Sequence, residues 1–174
     1  MDYLSVINVI ANIATACVAI AAYRYTIKQY GLHKEEEKAH AISSFNSRYA
    51  NDDYISPVQT DIMCIIDNVL AGNNSTIEFK SSERDRELFL RFFEELQISI
   101  EKQRLNDHEV YDLFSYYGVV ASFVKEKMIT GYHASEWVYY ENFVQKMRTI
   151  DRSLRHFDFD DLEAKFEEII SPMN

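Results

Sequence analysis

The sequence predicts an all-α fold: an N-terminal transmembrane helix that continues into a stalk, followed by a cytoplasmic antiparallel helical bundle. Three observations predict it. Residues 3–23 pass without a formal charge. The 174 residues contain only 4 Gly and 2 Pro, too little punctuation for a chain of many short strands and turns. From Ser56 onward, apolar residues recur at helical spacing and no comparable alternating pattern competes.

The opening stretch, "YLSVINVIANIATACVAIAAYRYTIK", sets the first element. A helix rises about 1.5 Å per residue, so Tyr3 to Tyr23 covers about 30 Å, the hydrocarbon thickness of a bilayer. Tyr3 and Tyr23 bracket the run where interfacial aromatics belong. Arg24, Lys28, Lys34 and Lys38 follow it and no Lys or Arg precedes it. That asymmetry places the N-terminus outside and the C-terminal domain in the cytoplasm, in a single pass of the inner (cytoplasmic) membrane. A secretory signal would need a basic n-region and a small-residue cleavage site. Asp2 is the charged residue ahead of the run, so cleavage is not expected. Ser5, Asn8, Asn12 and Thr15 fall on one face of this helix, continued by Ala19 and Ala22. In lipid, such a stripe suits close helix approach and interhelical hydrogen bonds, which makes these four residues candidates for association of the span.

The domain reading follows in chain order: residues 1–24 as anchor, 25–55 as helical stalk, 56–174 as bundle. In the stalk, Ile27, Ala39, Ile42, Phe45 and Tyr49 recur near helical spacing, and Gly31 is the expected kink or break. The "HKEEEK" run reads as a solvated face. Ser56–Pro57 predicts a helix start, with Ser as N-cap and Pro in the first turn. That helix ends near Gly72, and "GNNSTIEFK" is a loop. Ser82 opens the next helix, whose Phe89, Phe92, Phe93, Leu96 and Ile100 share a face. Asn106 or Asp107 caps another, with a stripe of Val110, Leu113, Phe114, Tyr117, Val120, Val124 and Met128. Ser135 or a neighbour starts a third, carrying Trp137, Tyr140, Val144 and Met147. Asp158 or Asp160 begins a terminal helix with Phe159, Leu162, Phe166, Ile169 and Ile170. Short connections such as "RLND" favour antiparallel neighbours.

Composition excludes several function classes. Hydrophobic residues make up 47% and aromatics 14%, enough for a packed core rather than a disordered tail. A formal net charge of −10 opposes binding to a phosphate backbone, so no nucleic-acid partner is expected. Cys17 and Cys64 have no metal-site spacing and read as small buried hydrophobes.

Candidate chemistry reduces to ordinary structure at each motif. Glu37-x-x-His40 has the spacing of a carboxylate-bridged metal helix, but no second copy occurs. His133-x-x-Glu136 reads as a helix start. Asp158, Asp160 and Asp161 lack the turn Gly and distal Glu of a calcium loop, and read as acidic capping. There is no nucleophile elbow, no Gly-rich phosphate loop and no reactive Cys motif, so no catalytic residue, cofactor or small-molecule substrate is assigned. The one basic cluster is "RTIDRSLRH", with Arg148, Arg152, Arg155 and His156 as a candidate anion or partner site. Seven residues separate Arg148 from His156 and three separate Arg152 from it. Neither matches the Arg–His spacing of small helical ribonuclease domains. Asn73-Asn74-Ser75 and Asn74-Ser75-Thr76 match glycosylation acceptors, which a cytoplasmic domain leaves as a polar loop.

With its anchor, its stalk and "ELFLRFFEELQISIEKQRLNDHEVYDLFSYYG", the chain resembles a loose family of uncharacterised bacterial single-pass membrane-anchored helical proteins. The resemblance implies the same architecture and bacterial origin, and brings no catalytic residue. Two functions compete on this reading. One is a membrane-tethered interaction module, an adaptor, sensor or regulatory subunit with a protein partner or a homo-oligomeric state. The other is a membrane effector whose spans assemble through the Ser5–Thr15 stripe into a pore, in bacterial defence.

Overall fold

A computed structural model describes residues 3–72 and 77–170, the side chains of 3–16, 169 and 170 excepted. Seven helices occur among the described residues: α1 Tyr3–Asn51, α2 Ile55–Leu70, α3 Glu83–Glu101, α4 Asp107–Phe123, α5 Lys125–Met128, α6 Val138–Leu154 and α7 Phe159–Ile170. No strand occurs among them. The chain divides into two compact units, residues 1–40 and 41–174.

The first unit is helical throughout its described length, and residues 17–37 are exposed on every side. Gly31, expected to kink or break the helix, does not break it. One glycine costs a helix interior only about 1 kcal/mol, and the residues around it supply uninterrupted donors and acceptors. Among the described residues, no helix is long and apolar enough to cross a membrane. Most of the uncharged 3–23 run lies where side chains are outside the description, and so do those of Ser5, Asn8, Asn12 and Thr15.

The second unit is an all-α bundle. It takes in residues 41–51 of α1, where Phe45 and Tyr49 set their rings 5.7 and 5.4 Å from Phe92. α3 lies at the centre, packing against α6 and α2, while α4 packs against α6 and α7. Its apolar face is doubled by Phe92 and Phe93, neighbours in sequence that both point inward. Phe92 meets Phe114 of α4 edge-on at 5.8 Å, and Phe93 meets Phe143 of α6 at 5.1 Å. Offset and edge-on aromatic pairs at these distances add specificity to the burial itself.

The caps follow local chemistry at three of the five predicted helix starts. Ser82 accepts from the Asp85 amide at 3.1 Å and donates to its carboxylate at 2.7 Å. Asn106 accepts from the His108 amide at 2.9 Å. Asp158 precedes α7 and accepts from the Asp161 amide at 3.4 Å. The other two starts differ from expectation. α2 begins at Ile55, ahead of Ser56, with no side-chain cap. Ile55 is buried, so placing it in the core outweighs a cap worth about 1 kcal/mol. α6 begins at Val138, not at Ser135; residues 134–136 form a turn, and the His133 carbonyl accepts from the Glu136 amide at 2.9 Å. Here Trp137 is the residue buried at the start of the helix.

The long stripe predicted from Val110 to Met128 is broken. α4 stops at Phe123, Val124 leaves helical geometry at φ −124°, and α5 resumes for one turn. Leu113, placed in the stripe, is exposed. Cys17 and Cys64, expected to be buried, are exposed as well. On α2 the buried positions are Val58, Asp61, Ile62, Ile65, Ile66 and Val69, which turns Cys64 to the opposite face.

Candidate functional site

Four helices, α4 to α7, converge on a cleft of about 600 Å³ in the bundle. α6 contributes Glu141, Val144 and Arg148, one above the other at helical spacing. The break at Val124 turns Lys125 and Glu126 into it, and α7 adds Glu163, Phe166 and Glu167. Phe123 and Phe166, with ring centroids 5.4 Å apart, form its apolar part.

Ion pairs hold the walls. The Lys125 ammonium pairs with Glu141, whose Oε1 also accepts from the Tyr132 hydroxyl at 2.6 Å. Across the cleft, Arg148 donates to Glu163 at 2.9 Å and to Asp160 at 2.7 Å. Arg152 donates to the same Asp160 through Nε at 2.8 Å and Nη2 at 3.1 Å. Asp160 is thereby held at a pKa of about 2, Arg152 contributing most and Arg148 next. The Glu163 bond raises Arg148 in turn. Glu126 and Glu167 are exposed at the cleft.

The candidate cluster read from the sequence is therefore divided. Arg148 and Arg152 converge on Asp160, and their charge is matched by Asp160 and Glu163. Arg155 is the left-handed residue ending α6, at φ 52° and ψ 44°. His156 is exposed and stands edge-on to Phe157 at 4.4 Å. An incoming anion would have to displace carboxylates already bonded to the first two arginines. With four glutamates against one lysine and one arginine, the cleft is suited instead to a cationic side chain.

The remaining motifs are placed apart. His33 lies 3.5 Å from Glu37 on the exposed face of α1, and His40 is exposed there too. Asp161 pairs with Lys165 at 2.7 Å. Among the described residues, no group of three or more His, Cys, Asp or Glu is placed to hold a metal ion. Ser122, at the cleft, donates its hydroxyl to the Val119 carbonyl at 2.6 Å. The acceptor sequences at 73–76 lie outside the described residues.

Sequence reasoning missed the cleft because its charges come from residues 16 and 15 positions apart, Lys125 with Glu141 and Arg148 with Glu163. No local pattern signals such pairs. Comparison with known proteins finds no matching family model, no matching curated protein and no matching solved structure.

Proposed function

We propose that this chain is a membrane-tethered helical interaction module, an adaptor or regulatory subunit anchored through residues 1–24 with its bundle in the cytoplasm. The observation that carries the proposal is the first unit. Its sequence runs uncharged from Tyr3 to Tyr23 and then turns basic at Arg24, Lys28, Lys34 and Lys38. Its described residues leave Val18, Ile20 and Tyr23 exposed, which in water costs about 1.5–3 kcal/mol for each large side chain left uncovered. A bilayer covers them, and the basic flank sets the orientation. The resemblance to bacterial membrane-anchored helical proteins points the same way. In the bundle, the acidic cleft beside Phe123 is the surface offered to a basic segment of a partner.

Fractionation of the full chain tests the anchor, and reporters fused after Asn174 test its orientation. The chain should sediment with membranes, resist extraction by carbonate and release with detergent. A fluorescent protein fused there should be active, and an alkaline phosphatase should not. A chain that stays in the soluble fraction would overturn the anchor, and an active phosphatase would overturn the orientation.

A further inference from the structure

We propose that two copies of this chain pair in parallel along α1, through a seam that extends past the uncharged run to Tyr30. Ile20, Tyr23, Ile27 and Tyr30 follow one another at spacings of three, four and three, the a and d positions of a heptad. They are 57%, 67%, 54% and 69% exposed, with no partner from their own unit. The sequence carries the same register back through Ala16, Ile13, Val9 and Val6. Of the seven registers a heptad allows, this one alone meets no polar or charged residue between 6 and 30. Lys34 and Glu37 take the next a and d positions and end it.

The part beyond the uncharged run is the informative part. An anchor needs apolar residues all round over 3–23 and asks nothing of Ile27 and Tyr30. Yet these two hold the register among Arg24, Lys28, Gln29 and Lys34, so apolar character has narrowed to faces of an otherwise polar helix. A heptad seam is complementary to itself: in a parallel pair each a layer meets a, and each d layer meets d, without a second sequence being required. Every a position is β-branched (Val6, Ile13, Ile20, Ile27), the a-position half of the pattern that favours two parallel strands. The four described side chains expose on the order of 500 Å² per chain, more than half of the roughly 800 Å² each partner buries in a stable interface. The seam lies beside the Ser5–Thr15 stripe, so the two faces can be tested separately.

Cysteine crosslinking of the full chain reads the seam directly. In a Cys17→Ala/Cys64→Ala background, single cysteines replace Ile20, Tyr23, Ile27 or Tyr30, and Tyr25, Lys28 or Gln29 as off-seam controls. Oxidation should give disulfide dimers at the four seam positions at least tenfold faster than at the controls. Equal rates at all seven positions, as for a helix surrounded by lipid alone, would overturn the proposal, and so would no dimer at any. Ile27→Asp/Tyr30→Asp should abolish dimers trapped by an amine-reactive crosslinker, and their persistence would overturn it too. The proposal stands apart from the anchor: seam-periodic dimers in a soluble fraction would keep it and remove the anchor, while a membrane-bound chain without them would do the reverse.

Discussion

The Tyr111 hydroxyl donates to the Asp151 carboxylate at 2.6 Å, joining α4 to α6 across forty residues of chain inside the core. The same carboxylate accepts from the amides of Phe157 at 2.9 Å and Phe159 at 3.1 Å. One side chain thus fixes the packing of two helices and the turn into a third. Burial by itself would raise the Asp151 carboxyl, but the Tyr111 hydroxyl and the backbone amides of residues 156, 157 and 159 outweigh it and hold its pKa below the ordinary value. Burial, and then the neighbouring carboxylate, push the Tyr111 phenol up, so it keeps its proton and remains a donor.

Removing this acceptor should therefore cost more than removing one donor. Asp151→Ala strands the Tyr111 hydroxyl and two backbone amides, and should lose roughly 3 kcal/mol. Tyr111→Phe leaves the carboxylate with its two amides and should lose about 1–2 kcal/mol. Urea denaturation followed by circular dichroism orders the two variants. Equal losses would mean that the turn into α7 does not depend on Asp151.

The same contact gives the pH dependence. A carboxylate whose folded pKa lies below its unfolded value binds more protons when unfolded, so stability falls with falling pH. The contribution is complete above the ordinary carboxylate value and is lost as pH falls from about 4 through the folded value. Asp160, at about 2, titrates in the same window. Its side chain is 47% exposed, so screening keeps its share below about 1 kcal/mol, and a comparison at Asp151 isolates the buried contact. The stability gap between wild type and Asp151→Asn should narrow steadily from about pH 5 to about pH 2. A gap that stays constant over that range would show that charge on Asp151 is immaterial.

What the sequence made legible was what one turn of helix contains. Ser82 and Asn106 were readable as caps because each bonds an amide two or three residues on, and the Phe89–Ile100 face was readable from its period. Ser56 and Ser135 misled for a tertiary reason: burying Ile55 and Trp137 decides where those helices start. The Tyr111–Asp151 contact and the cleft charges join residues 15 to 40 positions apart, where no spacing rule reaches. The separation of Arg148 from Arg155 and His156 was equally hidden, since it depends on Asp160 and Glu163 of α7.

Gly118 was also invisible from pattern. A Cβ there would lie 2.7 Å from the rings of Phe93 and Phe143, both fully buried, and the Gly118 carbonyl accepts from the Tyr140 hydroxyl at 2.8 Å. Gly118→Ala should destabilise by about 1–3 kcal/mol through overpacking, although alanine favours helix by about 1 kcal/mol. Gly31→Ala is the control, since a Cβ there meets nothing within 4 Å. It should raise helicity without loss. Thermal melts of the two variants should move in opposite directions, and a stabilised Gly118→Ala would refute the close-packing account.

The end of α1 predicts where the chain can be cut. Phe45 and Tyr49 pack on Phe92, and Tyr49 also meets Phe114 edge-on at 5.2 Å. Arg48 donates to Glu95 at 2.5 Å and sits 5.5 Å from the Phe92 ring centroid, with the Glu95 bond chiefly responsible for raising its pKa. A fragment of residues 41–174 keeps all of these contacts. A fragment of residues 52–174 loses them and opens the Phe92 ring to water. Truncating one buried aromatic side chain costs about 3–5 kcal/mol, and two half-buried ones should together approach that figure. Typical domains hold about 5–15 kcal/mol in total, so the shorter fragment should melt early or not fold cooperatively. The longer one should be helical with a sharp transition. Circular dichroism melts of the two fragments decide it: matching transitions would show that residues 41–51 only connect, and that the bundle is complete from α2 onward.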